Sequence, residues 1–430
     1  MTTLKGPKGT RDFYPREMAV RERLFSSMKA TCARYGFEPV DGPMFEPLDL
    51  YTRKSGEEVE RQLYTFQDKA GRMLALRPEF TPSLARMVAA RGQALKLPLR
   101  WYSLSRVFRY EKMQKGRLRE FFQLNMDILG IDDVSADAEV IAGAVDLMRD
   151  LGLDSSDFVV HFSSRKLLEE QFLKAGIAGD VLPKVYGLLD KQSKMPKERF
   201  EDELSGLLPD SSIRERMDAV LAARSLEELR RLDPESVSVQ ELLRLLDYIG
   251  DYGIRDFVRF DVGIVRGLAY YTGIVFEIFD RKRSLRAVAG GGRYDHLVQR
   301  YGGRPTPAVG FAVGDVVLGE MLSAKYGTGS TAPRSSVYVV SVGEEYPGPA
   351  VSLAVRLRAA GISCEYALKR SGVGKQMKLA DSARARYVVF TGGEEEAGGV
   401  VKVKDMQSGE EREIENNALE EYLGSRLPPH

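Results

Sequence analysis

The sequence predicts a mixed α/β (α+β) protein of two or three domains, and three observations carry that reading. Runs from Leu99 to Tyr110 and from Phe121 to Leu129 read as two strands joined by a basic hairpin loop. Residues 165–250 lose strand patterning and become leucine-rich, charged helical stretches. Beyond residue 335 strand and helix patterns alternate as βαβαβ, the order of a small α/β domain with some parallel strands. The chain has 430 residues, enough for a sizeable core at roughly 150 residues per domain.

The elements follow in order. Pro15 opens an amphipathic helix over residues 15–35, with Leu24, Phe25, Met28, Cys32 and Tyr35 at helical spacing. Phe37 to Met44 reads as a strand broken by prolines. Residues 80–91 form a second helix with Leu84, Met87 and Val88 on one face, and another helix covers about 136–151. After the helical segment, strands return at Phe257–Val265 and Ile274–Phe279. Gly290-Gly291-Gly292 then reads as a turn leading into a helix through Tyr294 to Tyr301. Residues 322–334 are rich in Gly, Ser, Thr, Ala and Pro, and a linker is placed at 326–334. Strands at Val337–Val342, Ile362–Tyr366 and Tyr387–Thr391 alternate with helices at 348–360 and 372–384. The division expected is 1–164 with 251–325, a helical insertion at 165–250, and a final α/β domain at 335–430.

Composition narrows the function classes. Hydrophobic residues make up 43% and charged residues 29%, the balance of a soluble globular enzyme. No apolar run approaches the ~20 residues of a membrane span, so no membrane partner is expected. The polar start from Met1 to Asp12 does not read as a secretory signal. Cys32 and Cys364 stand far apart, which suits reduced thiols and a cytoplasmic location. With three histidines and no ligand spacing, no protein-held metal site is expected. The net charge of +1 leaves any nucleic-acid partner to local basic patches.

Two constellations carry chemistry. The first runs from Phe108-Arg109-Tyr110-Glu111 through Lys112, Lys115, Arg117 and Arg119 to Phe121-Phe122-Gln123. A strand-end arginine can grip phosphate oxygens with two prongs, and an aromatic ring can carry a nucleobase. On composition alone, a solvated basic hairpin beside a core strand is the better fit. The second is Arg266-Gly267-Leu268-Ala269-Tyr270-Tyr271, an arginine beside a tyrosine pair, which suits a small polar substrate but also an ordinary strand. Neither GxxxxGK[ST] nor GxGxxG occurs, so a nucleotide would not bind in either of those modes.

Taken in order, seven segments resemble histidyl-tRNA synthetase, a class II aminoacyl-tRNA synthetase. They are GPKGTRDFYP (6–15), YGFEPVDGPMFEP (35–47), LRPEFTPSL (76–84), FRYEKMQKGRLREFFQ (108–123), VRGLAYYTG (265–273), AGGGRYD (289–295) and GVGKQMKLAD (372–381). The resemblance implies a class II antiparallel sheet with flanking helices, a helical insertion and a C-terminal anticodon-binding domain. It implies attachment of L-histidine to tRNA(His) through histidyl-adenylate, with ATP carrying Mg2+, in a homodimer with no DNA partner. Histidine would meet Glu79, Phe80, Thr81, Gln123, Asp127, Tyr270 and Tyr271. Arg109 and Arg266 would be catalytic at the carboxylate and α-phosphate. Arg109, Glu111, Arg117 and Phe121 would hold ATP, with Phe121 against adenine. Lys112, Gln114, Lys115 and Arg119 would approach the tRNA acceptor end.

The chain departs from the family pattern in places. The third class motif reads Gly310-Phe311-Ala312-Val313-Gly314-Asp315-Val316-Val317, with Val317 where an arginine usually stands. A replacement cation is expected from Arg117, Arg119 or Arg293, with Asp315 a candidate to help hold magnesium. Ala269 stands where many members have aspartate, Asp127 where many have glutamate, and Lys112 where arginine is common. The alternative is a paralogue that binds histidine without charging tRNA, such as the regulatory subunit of ATP phosphoribosyltransferase.

Overall fold

Strand alternation organises the larger part of the chain. The structure is a computed structural model that describes residues 4–52, 62–112, 116–189, 195–264, 270–327, 336–343, 348–392 and 398–427. It divides into two compact units, Met1–Gly329 and Ser330–His430.

In the first unit the strands are β1 (Glu38–Pro39), β2 (Phe45–Pro47), β3 (Thr65–Gln67), β4 (Met73–Leu76), β5 (Leu99–Phe108), β6 (Glu120–Leu129), β7 (Phe158–Ser164), β8 (Val258–Phe260), β9 (Ile274–Asp280), β10 (Ala289–Arg293) and β11 (Ala308–Gly314). Eight of them form one sheet in the order β1-β5-β6-β11-β10-β9-β7-β8. Its interior pairings are antiparallel, while β1 and β8 add parallel edges. A small sheet, β2-β4-β3, stands apart from it.

Both faces of the large sheet are covered. On β6, Leu124, Met126 and Ile128 point into the main core, where the Val134–Asp150 helix and the Pro15–Arg34 helix supply partners such as Ile141, Val145, Phe25 and Met28. A second core lies around the Thr81–Arg91 helix, with Phe80, Leu84, Val88, Tyr270, Tyr294 and Leu297. The Val134–Asp150 helix starts cleanly because the Asp133 carboxylate accepts from the Ser135 N–H. Among the described residues, six helices between Arg165 and Asp251 pack largely through leucines, and their apolar faces join the main core.

The second unit contains β12 (Val337–Ser341), β13 (Cys364–Tyr366), β14 (Tyr387–Thr391), β15 (Val400–Asp405) and β16 (Glu411–Glu415), ordered β13-β12-β14-β15-β16. The first three are parallel and match the expected βαβαβ order, with helices Gly348–Ala359 and Val373–Ser382 between them.

Several expectations change. Gly290-Gly291-Gly292 is no turn but the middle of β10. A Cβ on Gly291 would lie 2.4 Å from the Gly310 carbonyl, and one on Gly292 would lie 2.6 Å from that of Ile274. Glycine is there because neighbouring backbones come close, not because the chain reverses. The strand expected at Phe37–Met44 shortens to β1, and β2 begins just beyond it at Phe45, on the other sheet. The strand expected at Phe257–Val265 shortens to β8, and the helix at Tyr294–Tyr301 to Leu297–Arg300.

Candidate active site

Strand β6 lays out the site. Side chains alternate across a strand, so Phe121, Gln123, Asn125 and Asp127 share the face opposite the main core. At about 3.4 Å per residue, Phe121 and Asp127 lie some 20 Å apart along that face. Strand β11 runs beside it with Gly310 opposite Asp127, Ala312 opposite Asn125 and Gly314 opposite Gln123. Residues paired across a ladder share a face, so small residues form a floor while Phe311 and Val313 fill the core. A Cβ on Gly310 would lie 1.9 Å from Asp127 Oδ1, so that position admits only glycine without displacing the carboxylate.

At one end of the row sit two buried carboxylates. Tyr294 Oη donates to Asp127 Oδ1 at 2.6 Å, and Tyr270 Oη donates to Glu79 Oε2 at 2.9 Å. Burial pushes Asp127 up to about 7, Tyr294 opposes the rise, and the nearby Glu79 adds to it. Burial also raises Glu79, against the pull of Arg109 and the Tyr270 hydrogen bond. Tyr270, Tyr271 and Tyr294 pack edge to face around them. Asn125 Nδ2 donates to Thr81 Oγ1 at 3.3 Å, while Asn125 Oδ1 and Gln123 Oε1 are buried with no donor among the described residues. An unmet buried acceptor costs about 1–3 kcal/mol, so the pocket is set for a ligand that brings donors and positive charge.

At the other end are cations and an aromatic ring. The Arg109 guanidinium stands 5.4 Å from the Phe121 ring centre and donates from Nε to the Pro78 carbonyl at 2.9 Å. Arg117 pairs with Glu111 at 2.9 Å. Arg119 donates its backbone N–H to Gly9 and lies 4.3 Å over the Tyr110 ring, so the hairpin folds it back on itself. Lys112 is exposed. Arg266, Gln114 and Lys115 lie outside the described residues.

Two expectations are corrected here. Arg293 is 4% exposed and bound to Asp137, Asp295 and the Ile131 and Asp133 carbonyls, which leaves it no free prong for a phosphate. Asp315 accepts from Arg11 at 2.7 Å and from the Phe122 N–H at 2.9 Å, so it braces the start of the Asp315–Tyr326 helix and both oxygens are taken. Sequence reading missed Asn125, which the two-residue spacing between Gln123 and Asp127 could have revealed. It also missed Tyr294 as the partner of Asp127, for which only the fold supplies the signal.

Comparison with known proteins agrees with this geometry. The family described as Histidyl-tRNA synthetase matches residues 9–315, and the Anticodon binding domain matches residues 336–426. The chain belongs to the histidyl-tRNA synthetase family. It is similar to the chloroplastic/mitochondrial histidine–tRNA ligase of Arabidopsis thaliana, at 40% identity over 96% of this chain and 85% of that protein. It is also similar to the histidine–tRNA ligase of Pyrococcus furiosus, at 37% identity over 98% of each chain. Among solved structures, the histidyl-tRNA synthetase of Nostoc sp. PCC 7120 superposes with a TM-score of 0.81 at 25% identity, covering 99% of this chain and all of that one. A structure titled as an ATP phosphoribosyltransferase regulatory subunit/histidyl-tRNA synthetase from Bacillus halodurans C gives 0.74 at 25% identity, over 91% of this chain and 98% of that one. Within the synthetase family, the β6–β11 floor is the frame on which this chain mounts its candidate residues.

Proposed function

We propose that this ligase activates L-histidine with ATP and transfers the histidyl group to tRNA(His). The observation that carries the reading is the β6 row, with a carboxylate pocket at one end and an arginine–aromatic pair at the other, in a synthetase-family chain. Glu79, Thr81 and Gln123 take the amino group, beside Phe80. Asp127, Tyr270 and Tyr271 take the imidazole side. Arg109 and Arg266 hold the histidine carboxylate and the α-phosphate while a carboxylate oxygen attacks phosphorus. The bond to the β-phosphate breaks and pyrophosphate leaves. The terminal adenosine of tRNA then attacks the carbonyl carbon, and AMP leaves. Phosphoryl transfer needs positioning and charge stabilisation more than covalent help, which suits a site with no histidine base. Phe121 stacks on adenine, and Glu111 and Arg117 face ATP. Magnesium enters on the triphosphate as part of that substrate.

Further parts of the reading rest on the same frame. Lys112, Gln114, Lys115 and Arg119 approach the acceptor end of tRNA, and residues 335–430 take the anticodon. The catalytic domain comprises 1–164 and 251–325, with an insertion at 165–250 and a linker at 326–334. A homodimer is supported by the exposed apolar residues Met44, Phe45, Phe66, Met73 and Tyr110 on and beside the small sheet. The buried free thiols of Cys32 and Cys364 suit the cytoplasm. The match of residues 336–426 to an anticodon-binding domain weighs against the regulatory-subunit alternative.

Histidine-dependent ATP–pyrophosphate exchange, followed by aminoacylation of tRNA(His), tests the proposal. Both activities are expected, with no exchange for other amino acids. Histidine binding without exchange would overturn it in favour of the non-charging paralogue.

A further inference from the structure

With Val317 in the third class motif, the triphosphate lacks the arginine that usually stands there. The expected substitutes are engaged elsewhere: Arg293 is locked in a buried ion pair, Arg119 is folded onto Tyr110 and Arg117 is neutralised by Glu111. Val317 itself is a core residue, 6% exposed. It does not leave an empty place. A Cβ built on Gly116 would lie 3.2 Å from Val317 Cγ2 and 3.5 Å from Arg286 Cδ, so the valine and the stem of Arg286 both line Gly116 at the end of the hairpin loop. The Gly116 N–H donates to Glu320 at 3.1 Å, which ties that loop end to the Asp315–Tyr326 helix.

Arg286 arrives from the connection between β9 and β10, a part of the chain outside the family motifs quoted above. Its guanidinium reaches solvent and makes no hydrogen bond or ion pair with any described residue. Its charged neighbours are Arg117, Glu111 and Arg109, the three charged groups assigned to ATP. Packing around it first, and then Arg117, lower its pKa from the ordinary arginine value, against the pull of Glu111. Three cations held around one carboxylate are short of negative charge, and a polyphosphate supplies it.

We propose that Arg286 is the cation that grips the β,γ-phosphates of ATP in place of the arginine absent at Val317. This rests on the reading of the site as an adenylate-forming one. Arg286 is therefore a catalytic residue of the activation step: it holds the pyrophosphate part of the nucleotide as it departs from the α-phosphorus.

The test compares wild type with Arg286→Ala and Arg286→Lys in the full-length chain. Wild-type exchange is measured first, because its absence would count against the adenylating reading and not against Arg286. With exchange present, Arg286→Ala should lower kcat/KM for ATP by about 10²–10³, the usual loss for one stabilising donor. Lysine should restore part of it, keeping charge but losing the two-pronged fork. The KM for histidine should hold, as should affinity for a sulfamoyl analogue of histidyl-adenylate, which has no β- or γ-phosphate. Unaltered histidine and analogue binding also reports an intact fold. Wild-type ATP kinetics in Arg286→Ala would overturn the assignment. So would an equal loss of affinity for the analogue, which would put the residue elsewhere in the site.

Discussion

The Asp127 carboxylate should weaken the empty protein as pH rises, and Asp127→Asn should show it. Its ordinary pKa is 3.8, and burial lifts the native value to about 7. Between those values the folded chain keeps a proton that the unfolded chain has released, so stability falls as pH climbs through the window. At about 1.36 kcal/mol per unit, the loss reaches about 4 kcal/mol above pH 7. Asparagine offers Tyr294 Oη the same kind of acceptor but cannot ionise, so the variant should be more stable than wild type at pH 8 and nearly equal near pH 4. Thermal unfolding of both proteins across that range measures the gap, which should widen with pH. Histidine should reverse the ranking, because its positive side chain or amino group relieves the buried charge only in wild type. Loss of a hydrogen bond to a charged group, ~1.5–3 kcal/mol, should raise the KM for histidine by about 10- to 100-fold. A variant less stable than wild type at pH 8, or a gap that ignores pH, would refute the reasoning.

Gly310→Ala should strain the β6–β11 ladder and push the Asp127 carboxylate aside, since its Cβ would stand 1.9 Å from Oδ1 and 2.9 Å from the Met126 carbonyl oxygen. A misplacement of about 1 Å can cost ~10²-fold, so steady-state exchange should show that loss in kcat/KM for histidine. Asp137→Ala removes one partner of the buried Arg293 pair and should cost about 3–5 kcal/mol, read as a lower denaturant midpoint. A chain ending at Gly327 should keep histidine-dependent exchange and lose tRNA charging, because the larger unit has its own cores. Light scattering should find twice the 48.0 kDa chain mass, and a monomer at micromolar concentration would count against the dimer.

Legibility tracked the strength of each local pattern. The β5–β6 hairpin was readable because apolar residues alternate over ten-residue strands, and Tyr387–Thr391 because a short apolar run has few other solutions. Strand β11 was missed because Gly310, Ala312 and Gly314 carry little β preference, and only their neighbours on β6 explain them. Strands β15 and β16 were missed because lysines and glutamates occupy every second position or more, which on β16 suits the edge of the sheet. In the site, Glu79, Gln123, Asp127 and Tyr270 were named from motifs; all four are buried, Tyr270 donates to Glu79, and Gln123 and Asp127 lie on one face of β6. The Arg293 pairing and the approach of Arg286 come from contacts between segments distant in sequence, where no local signal exists.

The shared face of β6 also binds recognition to folding. Because its side chains alternate strictly, a slip of one residue against β5 or β11 would carry Gln123, Asn125 and Asp127 into the apolar interior. It would also turn Leu124, Met126 and Ile128 toward the substrate. No chain could have the wrong register and a partly working site. Misfolded copies of this strand would be silent rather than unfaithful, so an error in folding would reduce the amount of enzyme without loosening which amino acid it selects.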